Sequence, residues 1–134
     1  MTPVILGLDI SLSCTGWCLL SLHENKLCKW GKIATKATKK GQMTDDNYFD
    51  RVNTINTGID ALFSDKEHSI VAVAVEQLNS FRGGDVTRRL LGASKVVQYT
   101  IWKNHGLVPN EINTMTAKKV FTGNGHASKT LVLV

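Results

Sequence analysis

Two carboxylates stand where apolar runs stop. Residues 4–17 read VILGLDISLSCTGW, and Asp9 is the one charged residue in that stretch; residues 70–76 read IVAVAVE, an apolar run closed by Glu76. Asp9 has an ordinary reading as a turn residue, with Ser11, Ser13 and Thr15 capping the turn. It has a second reading if the two runs are neighbouring parallel strands. Asp9 and Glu76 then emerge at the same edge of a sheet, and the carboxyl ends of neighbouring strands are where open α/β sheets build their sites. Two carboxylates held together repel each other. A hard divalent cation, most often Mg²⁺, takes carboxylate oxygen while keeping several waters, and gives such a pair a chemical purpose.

The elements that must position this pair are legible in the pattern. Val4 to Ile10 is apolar on both sides of the pleat, as in a central strand covered on both faces. Trp17 to Ser21 and Leu27 to Ala34, separated by the polar HENK turn at 23–26, complete an antiparallel meander. Residues 35–42, TKATKKGQ, read as an exposed basic loop. Thr44, Asp45 and Asp46 then open a helix with acids on its positive end. Phe49, Val52, Ile55, Ile59 and Leu62 give its apolar stripe, to about Ser64. Ile70 to Val75 is short and rich in β-branched residues, which predicts a buried strand. A helical crossover into it from the meander makes it parallel to the first strand. NSFRGGD at 79–85 is a turn with Asp85 as the expected N-cap. The next helix carries Val86, Leu90, Ala93, Val97 and Ile101 and stops at Asn104-His105-Gly106. Leu107 to Asn113 is expected to form a short fifth strand, followed by a helix from Thr116 through Phe121, with one more beginning at Ser128. The order is β-β-β-α-β-α-β-α in a single α/β domain spanning 1–134.

Composition bounds the partners. The chain has 134 residues, 43% hydrophobic and 20% charged, and a formal charge of +5, ordinary for a globular domain. Its cations cluster: Lys26, Lys29, Lys32, Lys36, Lys39 and Lys40 without an intervening acid, then Arg82, Arg88, Arg89 and Lys95, then Lys118, Lys119 and Lys129. Three such clusters form either one surface for a phosphate backbone or three solvated faces. Cys14, Cys18 and Cys28 are odd in number and lack CxxC spacing, which argues against a zinc site or a disulfide framework and for thiols in a reducing compartment. No run reaches the roughly 18 to 20 apolar residues of a membrane span, and no signal peptide is visible, so a cytoplasmic protein is expected, in a bacterial cell or a phage-infected host.

ILGLDISLSCTGW, VAVEQ at 73–77 and above all KKVFTGNGHASK at 118–129 resemble, in order and across essentially the whole chain, the RuvC-type Holliday-junction resolvases of the RNase H-like nuclease superfamily. The last segment keeps the family's lysine, two glycines one residue apart, an alanine and a second lysine. The resemblance implies an RNase H-like fold, a central mixed five-stranded sheet with helices on both faces. It also implies Mg²⁺-dependent hydrolysis of branched DNA by a homodimer, with Mn²⁺ able to substitute and any branch-migration partner unspecified. Asp9 and Glu76 would be metal ligands, and Lys118 and Lys129 would act at the scissile phosphate, with Lys119 beside them on the DNA. The family's aromatic wedge falls at Asn79 here, leaving Phe81 as the nearest aromatic; Arg82 is the expected backbone-phosphate contact. Two metal ions roughly 3.5–4 Å apart would clamp the phosphate.

Two further acids, from a terminal helix, complete the family's site. After Glu111 this sequence has neither Asp nor Glu, which leads to the expectation of a fragment or truncated form that folds but binds metal weakly and cuts slowly or not at all. Symmetric nicking calls for a C2 dimer, and the helix from Asp85 to Asn104 is the candidate interface, through Leu91, Gly92 and Lys95. Three other readings stay open: an RNase H-like hydrolase acting on RNA-containing substrates, a sugar-kinase or actin-like ATPase, and a non-catalytic module that binds branched DNA. The ATPase reading needs a second comparable domain, for which the chain is too short.

Overall fold

A computed structural model describes residues 1–36, 45–78 and 84–113. Its elements are β1 (Thr2–Asp9), β2 (Cys14–Ser21), β3 (Leu27–Ala34), α1 (Asp45–Phe63), β4 (His68–Glu76), α2 (Asp85–His105) and β5 (Asn110–Ile112). The five strands form one sheet in the order β3-β2-β1-β4-β5. β1 pairs antiparallel with β2 and β2 with β3, whereas β1 with β4 and β4 with β5 are parallel. The sheet is therefore mixed, as expected, with β1 in its centre. The helices expected from Thr116 onward lie outside the described residues.

Val4, Leu6 and Leu8 of β1 share one face of the sheet with Val73 and Val75 of β4, their lateral neighbours or next in line. All five are at most 4% exposed. Ile55 and Ile59 of α1 and Val97 and Ile101 of α2 close over that face in one continuous core. Burying each of these side chains contributes about 1.5–3 kcal/mol. Both described helices thus pack on this same face. A smaller cluster of Leu12, Val52 and Ala93 continues the core toward the carboxyl ends of β1 and β4.

The helix stripes need two corrections. Phe49 is 64% exposed and Val86 is 77% exposed, so neither joins the core formed by the later residues of its stripe. Asp85 is not the cap of α2. Gly84 holds that position with extended backbone and no side-chain cap, while Asp85 is the first helical residue and pairs with Arg89 at 3.1 Å. The other end behaves as expected, with Gly106 left-handed at φ 72° and its N–H donating to the Trp102 carbonyl. The fifth strand is shorter than Leu107 to Asn113. Among the described residues no helix is long and apolar enough to cross a membrane.

At the end of the sheet remote from Asp9, Asp65 ties three elements together. It accepts from Lys29 Nζ of β3 at 2.7 Å, from the Glu67 N–H at 2.7 Å and pairs with His68 Nδ1 at 3.3 Å. These donors, the Lys29 ammonium first, hold its carboxyl well below the usual carboxylate range. Nearby, the His105 ring stacks on Phe63 with centroids 3.7 Å apart, and its Nε2 lies 2.8 Å from Asp60, closing α2 onto α1.

Gly58 shows how closely α1 lies on the meander: a Cβ there would sit 2.8–2.9 Å from three carbons of the Ile33 side chain. Helix propensity alone favours alanine over glycine by about 1 kcal/mol. Because Ile33 is β-branched and wedged on β3, Gly58→Ala is expected instead to destabilise the protein by about 1–3 kcal/mol, as overpacking does. Urea unfolding of the two proteins checks the sign.

Candidate active site

Asp9 and Glu76 are the last residues of β1 and β4. Those strands are neighbours and parallel, and their final paired residues are Leu8 and Val75. Each carboxylate therefore comes immediately after a residue of a matched pair. Side chains alternate faces along a strand, so Asp9 and Glu76 project on the same side of the sheet, opposite to Leu8 and Val75. Both are partly buried. This is the juxtaposition expected from the two apolar runs.

An irregularity in β4 creates it. Val4 pairs with Ile70 but Ile5 pairs with Ala72, so Val71 is an extra residue in the ladder. Without that extra residue, Asp9 would lie beside Val75 and Glu76 would point to the helix face. β-Bulges commonly re-aim side chains in this way beside active sites. Val71, 42% exposed, is the residue displaced.

The segment after Asp9 is fixed by its own hydroxyls. Thr15, fully buried, donates from Oγ1 to the Ser11 carbonyl at 2.9 Å and accepts from the Ser11 N–H at 3.2 Å. Thr35 donates its hydroxyl to the Leu12 carbonyl, and its N–H reaches the Ser13 carbonyl at 3.0 Å. The serines expected to cap the turn contribute less; Ser11 and Ser13 approach each other at 3.3 Å through exposed hydroxyls. Asp9 is thereby both a strand-end carboxylate and the entrance to a well-anchored turn.

On the Glu76 side the support comes from β5 and α2, and sequence reasoning missed it. The Gln77 N–H donates to the Ile112 carbonyl at 2.6 Å, extending the pairing of Glu76 with Ile112. One residue earlier, Glu111 turns to the helix face. Its Oε1 accepts from Lys95 Nζ at 2.8 Å and from the Gln98 amide at 3.0 Å, and that amide also reaches Ser94 Oγ at 3.1 Å. Gln98 and Lys95 hold the Glu111 carboxyl below its ordinary value. Leu91 and Lys95, expected at a dimer interface, line a small cavity of about 90 Å³ with Gln77, Leu78, Ser94 and Glu111. A polar residue at a buried helix position, here Gln98, was the signal available in sequence.

Part of the basic clusters is engaged in ion pairs. Among the described members, Lys29 pairs with Asp65, Lys95 with Glu111 and Arg89 with Asp85. Phe81, Arg82, Lys118, Lys119 and Lys129 lie outside the described residues. Among the described residues no group of three or more His, Cys, Asp or Glu is placed to hold a metal ion.

No family model matches the chain. Among curated proteins, crossover junction endodeoxyribonuclease RuvC of Rhodopirellula baltica is 28% identical over 128 residues, covering 96% of this chain and 68% of that protein. The protein of the same name from Ehrlichia ruminantium is 29% identical over 132 residues, covering 93% of this chain and 75% of its own length. Among solved structures, Thermus thermophilus RuvC superposes with a TM-score of 0.61 at 18% identity, over 96% of this chain and 74% of that one. T. thermophilus RuvC in complex with Holliday junction substrate gives 0.69 at 16% identity, over 91% and 73%. At these identities the structural likeness shows the fold.

The Glu111 clamp is testable by stability. Glu111→Ala leaves the buried Gln98 amide short of an acceptor and is expected to cost about 1–2 kcal/mol, while Lys95→Met, at an exposed ion pair, costs less than about 1 kcal/mol. A depressed carboxyl contributes stability above its unfolded pKa and loses it as pH falls through the folded value. Below the ordinary glutamate range, then, wild type is expected to lose stability more steeply than Glu111→Gln in urea melts. Parallel pH profiles would refute the clamp.

Proposed function

We propose that this chain, a RuvC-type homologue in sequence and in fold, is an endonuclease that resolves Holliday junctions by hydrolysing phosphodiester bonds. The observation that carries the reading is the side-by-side placement of Asp9 and Glu76 on one face at the carboxyl edge of parallel β1 and β4. A second support is that curated relatives named crossover junction endodeoxyribonuclease align along nearly all of it.

The chemistry of the two donors fits a divalent cation. Both offer hard carboxylate oxygen from rigid strand ends, the donor type suited to Mg²⁺ or Mn²⁺. A divalent ion held there would supply an activated water and charge stabilisation for the departing 3′ oxygen. Asp9 and Glu76 would hold that ion at the carboxyl edge of β1 and β4. Lys118 and Lys129 offset charge on the phosphate as it develops, and Lys119 and Arg82 hold the flanking backbone, with Phe81 at the junction bases. The products expected are a 5′ phosphate and a 3′ hydroxyl.

Single-turnover nicking of a labelled four-way junction in Mg²⁺, at excess protein, tests this. Asp9→Asn is expected to lower nicking by about a hundredfold or more, as loss of a metal-centred electrostatic contribution does, while junction binding is kept. Equal nicking by the variant, or preference for an RNA–DNA hybrid, would sink the proposal. Binding without nicking by either protein points to the non-catalytic module.

Two symmetric nicks require two copies, and a C2 dimer supplies them. The outer face of α2 suits the contact better than the Leu91–Lys95 side, which is occupied by β5. It presents Val96, Tyr99 and Trp102 at 43%, 56% and 52% exposure, with the two aromatic rings 5.9 Å apart. Aromatic anchors of this kind dominate interface energetics. Tyr99→Lys is expected to convert a dimer to monomer in sedimentation equilibrium without loss of helix content, and a wild-type protein that stays monomeric would end the dimer reading.

A further inference from the structure

The register carries the carboxylate row outward to the edge strand. Asp9 pairs with Gly16 on β2, and Gly16 pairs with Lys32 on β3. Glu76, Asp9, Gly16 and Lys32 therefore form one cross-strand row on one face of the sheet, and Gly16 contributes no side chain between Asp9 and Lys32. The row beneath is Ala74, Gly7, Cys18 and Trp30. Lys32 is exposed, and none of the ion pairs among the described residues involves it. Trp30, beside it on the same face, is 53% exposed.

Resting on the proposed nuclease reading, we infer that Lys32 and Trp30 of β3 form a DNA-tracking strip that receives the strand on one side of the scissile phosphate. A strand crossing the carboxylate pair must leave toward β5 or toward β3. On the β5 side this face offers, among the described residues, Ile112 and Asn110, with the Glu111 carboxylate just behind. On the β3 side it meets a cation and an aromatic surface. Lys32 lies two strand spacings from Asp9, about 10 Å, close enough for its ammonium to take a phosphate next to the one being cut. An exposed tryptophan on an edge strand is otherwise a liability for edge-to-edge association. Stacking on a sugar or an unpaired base gives it an occupant, since ring platforms beside a basic groove hold single strands without sequence preference. Lys29 is held by Asp65 at the far end of the sheet and takes no part.

Binding of a four-way junction in EDTA, measured over a salt series, separates this from a general charge effect. Lys32→Gln is expected to weaken binding roughly five- to tenfold and to lower the slope of log K against log salt by about one, whereas Lys32→Arg restores the slope. Trp30→Ala weakens binding by about fivefold or more with the slope unchanged. Lys26→Gln removes the same charge from the turn at the opposite end of β3 and shifts binding by less than about twofold. Circular dichroism and urea melts confirm that each variant is folded. If Lys32→Gln and Lys26→Gln weaken binding alike, or if Lys32→Gln changes nothing, the strip is wrong while the nuclease reading stands. If wild type binds branched DNA no better than linear duplex, the nuclease reading falls and the strip with it.

Discussion

The parallel register between β1 and β4 is the constraint on which everything at this sheet edge depends. Because side chains alternate with a period of two, a one-residue slip would send Glu76 to the opposite face from Asp9. Two features hold the register. Leu6 and Leu8 must meet Val73 and Val75 under the helices, where each side chain is at most 4% exposed. Moving them out of that core would forfeit several kilocalories, at about 1.5–3 kcal/mol for each side chain. The extra residue at Val71 then lets the lower part of the ladder, where Val4 meets Ile70, stay paired as well. Hydrophobic burial on one face thus fixes the positions of two charged groups on the other.

A strand end is more rigid when the segment leaving it is anchored, and the two carboxylates are anchored by different means. Asp9 leads into a turn closed by the buried Thr15 hydroxyl and by Thr35, so the end of β3 helps to set the position of a residue on β1. Glu76 is flanked by β5, a strand of only three residues. So short a strand gains little from its own ladder; α2 holds it through Lys95 and Gln98 on Glu111. The same helix also reaches α1, where the Tyr48 hydroxyl donates to the Arg89 carbonyl. α2 therefore links both flanks of the site.

Much of this was legible in the sequence, because the decisive elements are strongly patterned. Element order, the parallel pairing of β4 with β1 and the meeting of Asp9 and Glu76 are all encoded by a helix-length crossover between two apolar runs. The bulge was not legible. Val71, Val73 and Val75 are the same residue type, and a uniform apolar run hides which of its members is extra. The starts of the helices misled for a related reason: Phe49 and Val86 continue the helical period but stay exposed. Gly84 outranked Asp85 as the cap because the chain was already extended there and Asp85 was engaged by Arg89. The long-range partners of Glu111 depend on how α2 is rotated, and no local spacing encodes that.

Charge pairing around the site bears on how a polyanion reaches two carboxylates. Asp85 and Glu111 are each matched by a cation of α2, at 3.1 and 2.8 Å. At surface positions such pairs add little stability. Their effect here is on the field: each offsets a negative charge, an influence that fades beyond about a Debye length, roughly 8–10 Å at physiological salt. The remaining acids with described ion pairs, Asp60 and Asp65, lie at the opposite end of the sheet. Lys32, exposed and outside those ion pairs, stands in the cross-strand row of Asp9. A phosphate backbone approaching that edge meets the repulsion of the Asp9–Glu76 pair, and that is the repulsion a divalent cation removes.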